Sequence, residues 1–197
     1  MVGAMAEKGE TRGASRYDAL IATFVGVCAL CVSGYTAYVQ REQVRAAVWP
    51  ILEYETSNSP DIHFTVSNKG VGPAIIENVI VRVDGQPVKN WRQVMEKLRG
   101  HMEYRGAESD ISGHVFSAGE SMVVFTPHDD NDNPFNFDRS NPLWIKMNEE
   151  RNRVSVEICY CSTLGECWTL HGGQSTHKST TTETRRCLGE SAISFEQ

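Results

Sequence analysis

The chain has 197 residues, six cysteines and a formal net charge of −6 at pH 7. Residues 1–39 contain three basic and three acidic side chains, so all of the excess negative charge follows them. An acidic domain lacks the basic surface that binds phosphate backbones, and we therefore expect no nucleic acid partner.

The first predicted element is an apolar helix. Residues 19–39 contain no Asp, Glu, Lys, Arg or His. A helix of that length crosses a hydrocarbon core of about 30 Å at about 1.5 Å per residue. A cleaved signal peptide would have a shorter apolar region and a small-x-small site, and bulky Tyr35 stands in the first small position of the one candidate. We expect an uncleaved membrane-spanning helix, with the lipid bilayer as its partner.

The residues that flank this helix predict its orientation. Three basic residues precede the apolar run and two follow it, which favours a cytoplasmic N-terminus. Four cysteines in the C-terminal part favour an oxidising compartment on the other side. The expected organisation is a cytoplasmic tail over 1–16, a transmembrane helix with its juxtamembrane extension over 17–48, and an extracytoplasmic domain over 49–197. For a bacterium this means the inner membrane, with the domain in the periplasm.

One face of the predicted helix carries small side chains at spacings of four, three, four and four residues. They are Ala22, Gly26, Ala29, Ser33 and Ala37. Small side chains allow two helices to approach closely in lipid. This face predicts contact with another membrane protein or a second copy of the chain. The alternative is that small residues are simply common in spanning helices.

After Ile51 a two-residue alternation replaces the helical period. Residues 62–67 alternate strictly, and the even positions of 154–160 form an apolar face. Several short strands separated by turns predict a mainly β fold, an antiparallel β-sandwich. Further strands are expected at Ser121–Phe125 and Leu143–Met147, with a hairpin turn at Asp84-Gly85.

One short helix interrupts the predicted strands. Trp91, Val94, Met95 and Leu98 recur at i, i+3, i+4 and i+7, which forms one apolar stripe. Asn90 is the expected N-cap. The polar stretch that follows, 101–113, is expected to be a loop.

A resemblance to a known group follows from four stretches of the chain. They are Trp49-Pro50, Asn68-Lys69-Gly70-Val71-Gly72-Pro73-Ala74, Val83-Asp84-Gly85, and Cys161 through Cys167-Trp168. Over residues 35–187 the chain resembles a group of bacterial single-pass membrane proteins with an immunoglobulin-like extracytoplasmic domain. The resemblance implies the fold and its topology, and it implies no activity.

The four C-terminal cysteines are candidates for disulfide bonds. Cys159, Cys161, Cys167 and Cys187 allow three pairings. A hairpin loop over 162–166 would bring Cys161 close to Cys167, which leaves Cys159 to meet Cys187. Zinc binding by these cysteines is the alternative, although their spacings do not match the usual C-x₂₋₄-C pairs.

An acidic loop supplies a weaker candidate for a metal site. Asp129, Asp130 and Asp132 offer the oxygen ligands that calcium prefers. The loop is not an EF-hand, because Pro134 occupies the position that needs glycine and Ser140 the position that needs glutamate. We expect a solvated loop, and no cofactor is predicted.

No catalytic constellation accompanies these features in the sequence. The histidines support no triad, and no G-x-S-x-G motif is present. We predict a non-enzymatic accessory or recognition module that presents a disulfide-stabilised sandwich to an envelope protein. The acidic loop and the Trp91 helix are the expected contact regions. The alternative is a metal- or thiol-dependent periplasmic enzyme or sensor.

Overall fold

The protein consists of a long helix and a β-rich domain. The computed structural model describes residues 11–99, 105–128, 140–173, 179–187 and 194–196. Its contacts divide the chain into two compact units, Met1–Ala46 and Ala47–Gln197. The second unit is mainly β with antiparallel sheets, which confirms this part of the fold class that the alternation predicts.

The first element, α1, is a helix of 37 residues over Thr11–Ala47. It is long and apolar enough to cross a membrane. The hydroxyl groups of Thr23, Ser33 and Thr36 each donate to a carbonyl oxygen four residues earlier at 2.8 Å. These bonds pair the three hydroxyl groups within the helix, as a hydrocarbon environment would require.

The end of α1 agrees with the sequence pattern. The helix stops at Ala47, and Pro50 disfavours helical geometry at the preceding Trp49. The five small residues of the predicted packing face all lie within α1 and are exposed. A Cβ atom at Gly26 would meet no other atom within 4 Å, so this face is open.

Within the residues that the structure describes, ten strands form two antiparallel sheets. Sheet 1 has the order β1-β2-β7-β5, and its strands are β1 Leu52–Ser57, β2 His63–Asn68, β5 Gly106–Glu108 and β7 Ser121–Pro127. Sheet 2 has the order β10-β9-β8-β3-β4, with β6 also paired to β3. Its strands are β3 Ala74–Val83, β4 Gln86–Val88, β6 Val115–Phe116, β8 Val154–Cys161, β9 Cys167–Gly173 and β10 Thr180–Thr184.

The two sheets share one hydrophobic core. Phe64 and Phe125 from sheet 1 belong to the same buried cluster as Ile158 and Leu170 from sheet 2. Trp91 stacks on Phe125 with ring centroids 4.4 Å apart and planes 8° apart. An aromatic pair of this kind adds about 0.5–1.5 kcal/mol to the stabilisation from buried area alone. The alternation of apolar residues thus produces the buried faces that it predicts.

The helix α2, Trp91–Arg99, forms where the stripe predicts it. The four residues of the stripe are buried. Asn90 is the N-cap, because its Oδ1 accepts from the Gln93 amide at 3.1 Å. Gln93 Oε1 in turn accepts from the Lys89 amide at 2.9 Å, a reciprocal arrangement of the capping-box kind.

The prediction of a strand at Leu143–Met147 is wrong. These residues lie in a third helix, α3, over Pro142–Glu150. Pro142 suits the first position of a helix, and Asn141 Oδ1 accepts from the Trp144 amide at 3.3 Å. A stretch of five mostly apolar residues is too short for its periodicity to separate a strand from a helix.

The prediction of a loop over 101–113 is also wrong in part. Gly106–Glu108 forms β5, which pairs with the end of β7. This strand has three residues, and none of them is buried. Its pairing depends on backbone hydrogen bonds rather than on apolar side chains, so alternation gives no signal for it.

A returning segment completes the core next to β3. The Phe195 amide donates to the Val79 carbonyl at 2.8 Å, between the places where β6 and β4 pair with β3. The Phe195 ring is 2 % exposed and meets Trp91 edge-on at a centroid distance of 5.3 Å. Nothing in the local sequence around Phe195 predicts this position.

We expect Phe195→Ala to destabilise the domain. Removing a buried phenylalanine ring costs about 3 kcal/mol through lost contacts and the cavity that remains. The measurement is urea unfolding of the full chain in detergent micelles, followed by near-ultraviolet circular dichroism. Glu196→Ala is the matched control, because that side chain is exposed and its backbone bond remains. Equal stability of the two variants would contradict the placement of Phe195.

Candidate interaction surface at the proximal end of the domain

Several connections of the domain meet at the end where the chain leaves α1. We name this region the proximal end and define it as residues 48–51, 69–73, 117–120, 162–166 and 185–187. The register of the strands shows that these segments belong together.

The strand pairs of both sheets terminate at this end. In sheet 1, Leu52 at the start of β1 lies opposite Asn68 at the end of β2. In sheet 2, Cys161 at the end of β8 lies opposite Cys167 at the start of β9 and also opposite Ile75 near the start of β3. The segment 69–73 passes directly from β2 to β3, so the two sheet ends form one end of the domain.

The buried side chain of Asn68 joins three segments of the proximal end. It is fully buried, and its carboxamide makes five hydrogen bonds. Oδ1 accepts from the amides of Ile51 and Gly70 at 3.2 and 2.9 Å, and Nδ2 donates to the carbonyls of Gly72, Phe116 and Ser117 at 2.8, 3.1 and 3.2 Å. The start of the domain, the β2–β3 connection and the turn before β7 are therefore held together.

The β2–β3 connection also binds the start of the domain through its backbone. The amides of Val71 and Gly72 donate to the Trp49 carbonyl at 3.0 and 3.2 Å. Only glycine fits at position 72, because a Cβ atom there would lie 2.0 Å from the Val48 carbonyl oxygen. The chain thus joins the hydrogen-bond network of the domain within two residues of the end of α1.

We expect Asn68→Ala to lower the free energy of unfolding by about 3 kcal/mol. The substitution leaves backbone donors and acceptors unpaired at a buried site, and each such group costs about 1–3 kcal/mol. Chemical unfolding of the full chain in micelles measures the loss. Asn58→Ala is the control, because Asn58 is half-buried and its Nδ2 makes one bond, 2.8 Å long, to Asn148. A loss no larger than in that control would refute the role of Asn68.

Two sulfur bridges lie beside this network. Cys161 and Cys167 have an Sγ–Sγ distance of 2.04 Å and close the β8–β9 hairpin. Cys159 and Cys187, at 2.06 Å, connect β8 to the segment after β10. These are the pairs that a hairpin loop over 162–166 favours. One bridge stabilises a domain by about 2–4 kcal/mol, mainly by restricting the unfolded chain.

The two bridges are in contact with each other. Cys161 Sγ lies 3.8 Å from Cys187 Sγ. The sulfur atoms of Cys161, Cys167 and Cys187 all lie within 4.8 Å of one another. Metal ions bind thiolates, and bridged sulfur atoms offer none. The arrangement therefore holds metal only if the bridges are reduced.

We expect two reactive thiols per chain before reduction and six after it. In the structure only Cys28 and Cys31 of α1 are free, and the other cysteines are bridged. The measurement is thiol counting on protein that is denatured under nitrogen after extraction from native membranes. The reduced sample is the internal control. Six reactive thiols without reductant would contradict the bridged state.

Aromatic side chains line one side of the proximal end. Trp49 stacks on Trp168, with centroids 6.3 Å apart and planes 20° apart. Trp168 in turn lies 5.9 Å from Tyr160, whose hydroxyl oxygen accepts from the Leu52 amide at 3.4 Å. Burial raises the pKa of Tyr160, so this hydroxyl keeps its proton. Trp49 is therefore fixed on both its backbone and its ring.

The proximal end exposes large apolar side chains. Trp49 is 52 % exposed, Val71 64 % and Leu164 49 %. All three lie on segments that the Asn68 network or the Cys161–Cys167 bridge holds. Loops that are fixed in this way and carry exposed aromatic and aliphatic groups are typical of binding surfaces. We name Trp49, Val71, Leu164 and the half-buried Trp168 the proximal surface.

The charge at this end differs from that of the whole chain. Lys69, Arg185 and Arg186 are exposed there, against the acidic Glu120 and Glu166. The chain as a whole has a net charge of −6. The proximal surface is therefore accompanied by more basic than acidic side chains.

Glu120 fixes the turn that precedes β7. Its Oε2 accepts from the Ser117 amide at 2.7 Å, and its Oε1 lies 2.9 Å from His114 Nε2. The Ser117 amide, and then the His114 ring, hold the pKa of the Glu120 carboxyl below its usual range. The carboxylate is thus ionised at neutral pH and keeps this turn against Asn68.

Other predicted candidates do not join this site. Asp129, Asp130 and Asp132 lie outside the described residues, so their proposed metal site has no structural test. The expected contact through the Trp91 helix stays a prediction, and the Trp91 ring itself is 3 % exposed and packs in the core against Phe125. A stripe that is apolar enough to bind a partner is also apolar enough to be buried.

Asn68 and Trp168 lie in stretches that carry the resemblance, but the sequence assigned neither of them a contact. The glycines after Asn68 indicate a turn, but they do not show that its carboxamide is buried. Trp168 follows a predicted bridge cysteine, and no local pattern relates it to Trp49. The comparisons supply no further guide, because protein-family models, curated proteins and solved structures all give no match to this chain.

Proposed function

We propose that the chain is a single-pass protein of the bacterial inner membrane with its N-terminus in the cytoplasm. It presents an immunoglobulin-like β-sandwich on the extracytoplasmic side. The domain acts as a non-enzymatic recognition or accessory module for another envelope protein. The exposed, rigidly held proximal surface is the observation that carries this proposal.

The strand order supports an immunoglobulin-like topology. With β1, β2, β5 and β7 taken as strands A, B, D and E, sheet 1 has the order A-B-E-D. With β3, β8 and β9 taken as C, F and G, sheet 2 contains the order C-F-G, and β4 extends it as C′. Immunoglobulin domains combine A-B-E-D and C-F-G sheets in the same way, and β6 and β10 are additional to that set. The bridges differ from the B–F bridge of antibody domains, because both begin on β8.

The cysteine pairs support an extracytoplasmic position. Disulfide bonds persist in oxidising compartments and are rare in the cytosol. Both pairs lie after α1, on the side that the flanking charges assign to the periplasm. The two arguments are independent, because one rests on basic residues near the helix and the other on sulfur geometry in the domain.

The position of the proximal surface supports a membrane-associated partner. Trp49 follows the last residue of α1 by two residues, a distance that the backbone spans in about 7 Å at most. A partner that contacts Trp49 must therefore approach close to the end of the anchor. An integral membrane protein, or an envelope protein held at the membrane, meets this requirement, and a second copy of the chain also meets it.

We expect a photoreactive residue at position 71 to capture an envelope protein in intact cells. p-Benzoylphenylalanine replaces Val71, which is 64 % exposed within the proximal surface. The matched control replaces Val123 of β7, which is 45 % exposed and lies outside this surface. Position 71 should give an adduct that mass spectrometry identifies, and position 123 should give none.

Trp49→Ala in the position-71 background completes this experiment. Truncation of an aromatic anchor commonly weakens binding by about 1–2 kcal/mol or more, so the adduct should fall several-fold. Monomer alone at position 71, or equal adducts at positions 71 and 123, would exclude the proximal surface as the contact.

A metal- or thiol-dependent enzyme or sensor is the second candidate. The sulfur atoms that lie within 4.8 Å of one another favour it, since reduction of both bridges would place thiolates together. Elemental analysis beside the thiol count separates the two functions. Stoichiometric zinc with all six thiols reactive supports the second candidate, and bridged cysteines without metal support the recognition module.

A further inference from the structure

The two sulfur bridges of the domain lie close enough to react with each other. Cys161 Sγ is 3.8 Å from Cys187 Sγ, although each atom is bonded to a different partner. Both residues are half-buried, whereas their bonded partners Cys167 and Cys159 are buried. The two cysteines whose sulfur atoms face each other are therefore also the more accessible members of the two bridges.

The two buried sulfur atoms each have a polar neighbour of their own. Cys159 lies opposite Thr169 in the β8–β9 pairing, and the Thr169 hydroxyl donates to Cys159 Sγ at 3.7 Å. Cys167 Sγ lies 3.7 Å from the Gly165 carbonyl oxygen. A hydroxyl donor stabilises negative charge on sulfur, and a carbonyl oxygen stabilises a thiol by accepting from its S–H group. Each buried sulfur atom is thus provided with a group that stabilises it once its bridge has broken.

We propose that the two bridges form one exchange unit, in which the opening of either bridge leads to a new bridge between Cys161 and Cys187. The co-reactant is a dithiol, which supplies two electrons and two protons to one of the bridges. Cys159 and Cys167 are the free thiols of the product. Groups held about 3–3.5 Å apart react as if at very high concentration, and 3.8 Å is comparable for atoms as large as sulfur.

One route begins with the hairpin bridge. The dithiol reduces Cys161–Cys167 to two thiols and is itself oxidised to a disulfide. Cys161 then loses its proton to solvent, and its thiolate attacks Cys187 Sγ. The Cys161–Cys187 bond forms, the Cys187–Cys159 bond breaks, and the electron pair moves to Cys159 Sγ, which takes up a proton from solvent. The second step is a rearrangement that consumes no electrons.

The other route gives the same product. When the dithiol reduces Cys159–Cys187 first, the Cys187 thiolate attacks Cys161 Sγ. The bond from Cys161 to Cys167 breaks, and Cys167 takes up a proton and can donate it to the Gly165 carbonyl oxygen. The two routes converge because the attacking atoms are the two that face each other.

The exchange would change the proximal surface. The Cys161–Cys167 bridge closes the hairpin whose loop carries Leu164, and the exchanged chain lacks this bridge. The segment after β10 would stay bonded to β8, through Cys161 instead of Cys159. A dithiol would therefore remove the covalent closure of one loop while the rest of the domain stays connected. The exchange needs no partner protein, so it is independent of the proposed recognition function.

The test is limited reduction of the full chain in detergent micelles. The free cysteines of α1 are alkylated first, so that only the four sulfur atoms of the domain can react. One equivalent of tris(2-carboxyethyl)phosphine replaces the dithiol, because it opens a bridge without adding a thiol and is oxidised to the phosphine oxide. Samples are alkylated with N-ethylmaleimide at increasing times, and tandem mass spectrometry assigns the labelled and the bridged cysteines.

We expect one single-bridged species to increase with time, with Cys159 and Cys167 labelled and Cys161 bonded to Cys187. The same treatment of the chain unfolded in urea is the control. There the species should be at least about threefold less abundant, because unfolding separates the facing sulfur atoms. Absence of the species from the folded chain, or equal abundance in the two samples, would overturn the proposal.

Thr169→Val tests the route that begins with the hairpin bridge. The variant removes the hydroxyl group that faces Cys159 Sγ, so the species with Cys161 and Cys167 free should decay about threefold more slowly. The species with the other bridge open is the internal control, and its decay should be unchanged because Cys167 leaves on that route. Thr169→Ser keeps the hydroxyl group and should retain the wild-type rate. An unchanged rate in Thr169→Val, or equal slowing of both species, would contradict the assignment of Cys159 as the leaving group.

Discussion

The architecture of the proximal end depends on one buried carboxamide. Asn68 offers two N–H donors and an oxygen that accepts twice, a combination that neither an apolar nor a charged side chain of similar size provides. Its five hydrogen bonds, in which three carbonyl oxygens share the two N–H donors, reach the start of the domain, the β2–β3 connection and the turn before β7. Buried polar networks are stabilising when every member is paired, and each polar group of this side chain is paired.

The hydrogen bonds of Asn68 help to make the proximal surface rigid. Trp49 is held through its carbonyl oxygen by Val71 and Gly72 and through its ring by Trp168. A surface that is ordered before it binds loses little conformational entropy on association. Burial of the exposed apolar area can then contribute to affinity, because little of its free energy is needed to offset the entropy of ordering a loop.

The sequence predicted those helices, strands and turns whose residues show a clear hydrophobic period or a turn motif. The uncharged run gave α1, alternation gave β2 and β8, and Asp84-Gly85 gave a turn in which both residues have positive φ. The five residues of Leu143–Met147 were too few to separate a strand from a helix. Long-range relations were invisible: Trp49 and Trp168 lie 119 positions apart, and no periodicity connects them. The burial of Asn68 likewise follows from three segments that meet only in the fold.

The unequal spacing of the two sulfur bridges has a consequence for how the domain matures. Cys161 and Cys167 are 6 residues apart, and Cys159 and Cys187 are 28 apart. Closing the longer loop costs about 1 kcal/mol more in chain entropy. The short bridge is therefore expected to oxidise first. Once it has formed, Cys159 and Cys187 are the two cysteines of the domain that are left to pair with each other.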